Sequence, residues 1–361
     1  MFTENIINSP DKMRNNILKL RKQNLPILFF GAGIGAKKLL HILKSYDVIV
    51  DHVVVDSLYY KQGQLLCGYP VESFNDVLKK YSKVIIVVSF NDNSNKIREL
   101  FNNQFVSECI VLDNGCALFD FPDFYNYVHM HLHEFETVYQ LLEDDLSRKI
   151  MVAFINSKIS KDAEELNYFN LNETIYHPDI ISFHNNEVFV DCGAYNGDTI
   201  ISFINNRAGI YSKIFAFEPD KNNYNILKKN VSKFINIEIF EKGAFSRKDK
   251  LLLASGEKQS SFISTNGDMS IEVDKIDNLV LGKVSYIKMD IEGAELEALK
   301  GAQKVIFLNT PKMAISVYHQ PEDITTIPLF ISSISQNSYK LYLRHYGTTT
   351  CDLVLYAIPK C

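Results

Sequence analysis

Acidic residues close several apolar runs in the second half of this chain. In VFVDCGAYNGDT, residues 188–199, an apolar run ends in Asp191, Gly193 and Gly197 permit a tight turn, and Asp198 stands where a helix can begin. A strand, a glycine turn and a helix N-terminus commonly cradle a phosphate. Here two carboxylates flank the turn and would repel a pyrophosphate. They suit an amino group or a sulfonium cation instead. Glu218 ends KIFAFE, 21 residues after Gly197. An acid at the tip of a second strand is placed to hold a ribose diol. S-adenosylmethionine carries a cationic amino-acid end and a ribose.

A second acidic group follows. MDIEG places Asp290 and Glu292 just after a strand, with Glu295 on the next helical turn, and YHQPED places His319 and Asp323 after the following strand. Neighbouring strand tips bring such residues together. Methyl transfer to a hydroxyl needs the acceptor in line with the donor, and a base adds ~10²–10⁴-fold. His319 is expected as that base, with an ordinary ionisation near 6.5; Asp290 or Glu292 can serve if desolvated. Glu295 reads as a solvated helix face. No all-oxygen ligand set stands out, so no metal is expected.

Strands and helices must position these groups. PILFFGAG, VIVDHVVVDS, KVIIVVSF and ECIVLDN alternate with helical segments, which implies parallel βαβ units over residues 1–115. Residues 116–180 carry helical periodicity and read as a connector or cap. From 181 to 361 the alternation resumes. VFVDCG, KIFAFEP, IEIFEKGAF, VSYIKMDI and KMAISVYH are strand candidates, and DKNNYNILKKN and EGAELEALKGA are helices between them. YKLYLRHYG and CDLVLYAIP, separated by TTT, predict an antiparallel hairpin ending the sheet.

The ordered motifs VFVDCGAYNGDT, FAFEPD, EKGAFS, VDKID, YIKMDIEGAELEALKGA and VYHQPED resemble the FkbM family of S-adenosylmethionine-dependent methyltransferases, over about 180–358. The resemblance implies a seven-stranded class I α/β sheet and O-methylation, often of a sugar or polyketide hydroxyl. It implies that Asp191, Gly193, Ala194, Tyr195, Asn196 and Gly197, with Asp198 and Thr199, line the methionine end of the cofactor. Glu218, followed by Pro219, would hold the ribose. Gly243 and Ala244 would border adenine, and Asp290 would lie beside the methyl group.

The first segment carries a separate signal. FFGAGIGA contains Gly31, Gly33 and Ala36 in G-x-G-x-x-A spacing, and Asp56 ends the next strand. This is the context of a Rossmann-like dinucleotide fingerprint. It leaves open an NAD-dependent oxidoreductase, a nucleotide or nucleotide-sugar partner at Gly31–Ala36, or glycines that serve packing alone. In HMHLH, only His129 and His133 share a helix face, and the run reads as a partly exposed helix. Arg344 and His345 in RHYG read as strand-end charges in solvent.

Composition narrows the classes. Net charge is −5 over 361 residues, which disfavours a general nucleic-acid binder. Cys67, Cys109, Cys116, Cys192, Cys351 and Cys361 show no C-x-x-C spacing. No apolar run approaches the ~18 residues that span a bilayer, and the polar start does not resemble a signal peptide. The expectation is a cytoplasmic O-methyltransferase of polysaccharide biosynthesis.

Overall fold

The computed structural model describes residues 2–6, 15, 19–20, 22, 24–90, 96–111, 124–160, 164–169, 180–255, 261–263, 269–347 and 350–360. Cys116 and Cys361 lie outside the described residues. The chain forms two compact units. One comprises Met1–Glu136, Arg148–Asn172 and His345–Asp352; the other comprises Thr137–Ser147, Glu173–Arg344 and Leu353–Cys361. The helical stretch after residue 116 is divided between them. Among the described residues, no helix is long and apolar enough to cross a membrane.

The first unit holds β1 (Ile27–Phe30), β2 (His52–Val55), β3 (Leu65–Leu66), β4 (Tyr69–Ser73), β5 (Val84–Val88) and β6 (Val106–Val111). Their order is β3-β4-β2-β1-β5-β6. All pairings are parallel except β3 with β4. Every residue of β1 and β5 is buried, as strands covered on both faces require. Side chains alternate between two cores: Phe29, Val53 and Val87 pack in one, and Leu28, Val54 and Ile86 in the other. The β3–β4 hairpin was not visible in the sequence. Pro70 reads as a strand breaker, yet Cys67 (φ 50°) and Gly68 (φ 89°) supply the paired left-handed turn that a two-residue hairpin needs.

The second unit holds the seven-stranded sheet that the motifs imply. Its strands are β7 (Val188–Cys192), β8 (Lys213–Phe217), β9 (Ile237–Phe240), β14 (Tyr286–Met289), β15 (Lys312–Ser316), β16 (Tyr339–His345) and β17 (Leu353–Pro359). Their order is β16-β17-β15-β14-β7-β8-β9. β17 runs antiparallel to β15 and the pairings from β15 to β9 are parallel. Phe189 of β7 stacks on Tyr286 of β14 at 4.9 Å and meets Phe203 at 4.7 Å, which anchors the two central strands. The order reverses between β7 and β14. In open α/β sheets a ligand crevice forms at the carboxyl ends of the strands at such a switch point.

A smaller sheet flanks that crevice: β10 (Gly243–Ala244), β11 (Asp249–Ser255), β12 (Ser261–Ile263) and β13 (Met269–Asp274), in the order β10-β13-β11-β12. IEIFEKGAF is therefore not one strand. Ile237–Phe240 joins the large sheet, and Gly243–Ala244 pairs with β13 in the small one.

Candidate active site

At the carboxyl ends of β7, β8 and β14 lies a cleft of about 340 Å³. Of the residues expected to bind a cofactor, Gly193, Tyr195, Asp198, Thr199, Glu218, Pro219, Gly243, Ala244 and Asp290 line it. Asp191, Ala194, Asn196 and Gly197 are not among its lining residues. Phe217, Asp220, Asn223, Leu253, Ile271, Val273, Lys288, Ile291, Glu292 and Ala294 complete it. The small sheet gives an apolar side through Leu253, Ile271 and Val273. The lining also carries five carboxylates, Asp198, Glu218, Asp220, Asp290 and Glu292, against the single ammonium of Lys288.

The loop after β7 is folded by the protein's own needs. A Cβ on Gly193 would stand 2.0 Å from the Asp290 carbonyl oxygen, and one on Gly197 would stand 2.9 Å from Leu227. Both have left-handed backbone, φ +78° and +87°. These glycines let strand and helix approach each other. Gly193→Ala is expected to cost well over ~1 kcal/mol of stability, as Ala does where φ is positive. Gly33→Ala, with nothing within 4 Å of its added Cβ, is the control. Similar thermal melts for the two would contradict this assignment.

Asp191 is fully buried, and Lys288, itself 4% exposed, reaches it at 3.2 Å. Neither Asp191 oxygen makes a well-aligned hydrogen bond, so the contact is an ion pair. Lys288 Nζ also donates to the Gly193 carbonyl at 3.0 Å. Burial pushes the Asp191 carboxyl up to about 6, against the pull of Lys288. Asp191 thus meets the cleft through Lys288. The sequence reading passed over Lys288, although a lysine inside the apolar strand YIKM needs a buried partner.

Glu218, 6% exposed, directly follows β8. It accepts from Tyr195 N at 2.8 Å and Asp220 N at 2.9 Å. Burial raises its carboxyl to about 7, opposed by these two N–H groups. Tyr195 holds left-handed backbone, φ 46°, which turns its N–H onto the acid. Asp220 caps the next helix, accepting from Asn222 N and Asn223 N.

The second acidic group does converge, around His319. That ring is 2% exposed. Its Nδ1 lies 2.9 Å from Glu295 Oε1, and its Nε2 lies 3.5 Å from Asp290 Oδ1 and 3.6 Å from Glu292 Oε2. Burial alone would lower the ring, but Glu295, then Asp290 and Glu292, outweigh it and raise it to about 10. His319 therefore holds a proton at neutral pH. The expected base with an ionisation near 6.5 is not what these neighbours produce. Burial pushes the Asp290 carboxyl up, but Lys288 and His319 pull it further down, so it stays ionised. Glu295 is fully buried, not the solvated helix residue expected. It accepts from Ile291 N and Gly293 N at 2.8 and 3.0 Å. Asp323 sits behind, accepting from Gln320 N at 2.8 Å; burial, then Glu295, raises it to about 8.

Other candidates resolve as structural groups. Asp56 pairs with Lys96 at 2.6 Å, so the acid of the first glycine motif already has a cation. A Cβ on Gly31 would meet Ser89 Oγ at 2.4 Å, and Ala36 is fully buried. Arg344 is 5% exposed and pairs with Asp144 at 2.7 Å, not solvated as expected. His129 meets the Tyr125 carbonyl, and His131 lies between two helices.

Residues 191–341 match the family model described as the methyltransferase FkbM domain. The solved structure of methyltransferase FkbM from Methylobacillus flagellatus KT matches with a TM-score of 0.68 at 21% identity, over 97% of this chain and 100% of that one. That likeness is one of fold. An rRNA methylase from Streptococcus thermophilus matches with a TM-score of 0.34 at 15% identity, over 50% of this chain and 90% of its own. Aeropyrum pernix fibrillarin with natively bound S-adenosyl-L-methionine matches with a TM-score of 0.34 at 11% identity, over 49% of this chain and 70% of its own. No curated protein matches the sequence.

Proposed function

We propose, from the match of residues 191–341 to the methyltransferase FkbM domain model, that the chain moves a methyl group from S-adenosylmethionine to a hydroxyl of a sugar or glycan precursor. The observation that carries the reading is the cleft's lining, which combines apolar residues of the small sheet with five carboxylates. A purine suits the first. A cation and a ribose suit the second. The residues present fit the cofactor: Glu218 has carboxylate capacity left beyond its two backbone bonds, and five acids against one ammonium favour a positive ligand.

S-adenosylmethionine supplies an electrophilic methyl group. The chain's own residues do the rest. Glu218 holds the ribose hydroxyls, and Leu253, Ile271 and Val273 exclude water from one wall. Asp290 and Glu292 stand at the cleft's acidic end, where an acceptor hydroxyl hydrogen-bonds to a carboxylate and gives up its proton as charge develops. His319 keeps these acids ionised and in place. The free cysteines Cys67, Cys109 and Cys192 fit a reducing, cytoplasmic setting.

Calorimetry on the full chain tests the reading. S-adenosylhomocysteine is expected to bind with micromolar affinity, roughly −8 kcal/mol, and NADH is expected not to compete. Binding of NADH without binding of S-adenosylhomocysteine would replace this function with nucleotide-dependent redox chemistry.

A further inference from the structure

We propose that His319, Asp290 and Glu292 bind a divalent first-row metal cation beside the cofactor cleft, where it would hold and acidify the acceptor hydroxyl. The role in catalysis rests on the methyltransferase reading; the site itself does not. Asp290, Glu295 and His319 offer ligand atoms that all lie within 4.8 Å of one another. Carboxylates alone would say little. The imidazole says more, because it is 2% exposed and neither ring nitrogen makes a well-aligned hydrogen bond among the described residues, although carboxylates stand near both.

Distances separate two ways of using that nitrogen. Nε2 stands 3.5 Å from Asp290 Oδ1 and 3.6 Å from Glu292 Oε2. A charge-assisted hydrogen bond would close to ~2.7–2.9 Å. Two ligand atoms each ~2.0–2.2 Å from one ion, at a tetrahedral angle, stand roughly 3.3–3.6 Å apart. Nε2 stands from each of the two carboxylate oxygens at the separation of two ligands on one ion.

The other face of the ring supports the same assignment. Nδ1 lies 2.9 Å from Glu295 Oε1, and two backbone N–H groups fix that buried carboxylate. A carboxylate on the far nitrogen is the usual support of a metal-bound histidine, because it sets ring orientation and tautomer. The Asp290 and Glu292 side chains are 36% and 31% exposed, and both line the cleft. Three protein ligands with one side open leave a coordination position for water or acceptor. One imidazole with two carboxylates suits Mn²⁺, Fe²⁺ or Zn²⁺ better than the all-oxygen shells of Ca²⁺. The earlier expectation of no metal rested on the lack of an all-oxygen set, and this set contains a nitrogen.

The step balances. The acceptor O–H bond breaks and its proton passes to solvent. The oxygen bonds the methyl carbon as the S–CH₃ bond breaks, and the electron pair stays on sulfur, giving S-adenosylhomocysteine. Binding at Nε2 would first release that nitrogen's proton to solvent, since a ligating imidazole is neutral, and a cation beside the acceptor oxygen lowers the cost of losing the acceptor's proton.

Mn²⁺ binding to the full chain, stripped beforehand with a chelator, tests the site. The expected result is one Mn²⁺ per chain, with ¹⁴N modulation in the pulsed EPR spectrum from a directly bound imidazole. His319→Gln should remove that modulation. Glu292→Gln, at a partly exposed side chain, should weaken Mn²⁺ at least tenfold while the thermal melt shifts by only a few degrees. Wild-type protein that binds no Mn²⁺, or binds it without ¹⁴N modulation, overturns the proposal, as does unchanged affinity in Glu292→Gln. S-adenosylhomocysteine binding to the stripped wild type is read in parallel. Its absence beside an intact Mn²⁺ site would sink the methyltransferase reading and leave the metal site standing.

Discussion

Lys288→Met is expected to cost about 3–5 kcal/mol of folding stability at pH 8, the cost of stranding one member of a buried ion pair. Asp191 is fully buried and Lys288 is its one salt-bridge partner among the described residues, at 3.2 Å. Methionine keeps the side-chain length and removes the charge. The Asp191 carboxyl then has burial pushing it up and no ammonium to oppose the push. Its folded ionisation moves further above the unfolded one. The penalty is therefore small where Asp191 can remain protonated and grows as pH rises through and beyond about 6. Urea unfolding at pH 5 and pH 8 should show this widening gap. Asp191→Asn combined with Lys288→Met should regain most of the loss, since a neutral pair of similar shape is often no less stable than a buried ion pair. A single variant as stable as wild type at pH 8 would mean that water or another cation reaches Asp191.

That pair marks a limit of what the sequence discloses. Asp191, Glu218 and Asp290 were legible because each ends an apolar run, and a strand tip at a crossover fixes where its side chain goes. Their division of labour was not. Asp191 looked like a ligand contact, but its partner, Lys288, comes from a strand nearly a hundred residues later, and only the parallel register of Lys288 with Asp191 brings them together. Gly193 and Gly197 were correctly read as turn residues. What occupies the space above them was invisible, because Asp290 and Leu227 belong to other elements. His319 was placed correctly beside Asp290, yet its protonation depends on Glu295, which the helical pattern assigned to solvent. The small sheet escaped because Gly243–Ala244 is only two residues long, and the short alternating run MSIEVD that pairs with it carries no motif to mark it. Local pattern located the strands and tips. Long-range pairing determined the charge states.

Glu218 yields the last expected result, an S-adenosylhomocysteine affinity that rises with pH. Burial raises this carboxyl to about 7, against the two backbone N–H groups that favour its ionised form. Under the proposed function, ribose hydroxyls donate to the same carboxylate, so the ligand prefers it ionised. Below about 7 binding must first release a proton, and affinity should fall by up to tenfold per pH unit. Above about 8 it should level off. Unliganded stability should move the other way. The folded ionisation lies above the unfolded one, so this group's contribution is fully present below about 4.5 and is lost as pH rises through about 7. Glu218→Ala should weaken S-adenosylhomocysteine by about 1.5–3 kcal/mol, the worth of hydrogen bonds to a charged group. It should also flatten the affinity profile between pH 6 and 8. Asp191 titrates near the lower edge of that window, but it does not line the cleft and is paired with Lys288, so it cannot replace the lost dependence. Calorimetric titrations at pH 6, 7 and 8 decide the matter. A Glu218→Ala protein that keeps wild-type affinity and slope would place the ribose elsewhere, with Asp220 as the next carboxylate on the cleft wall.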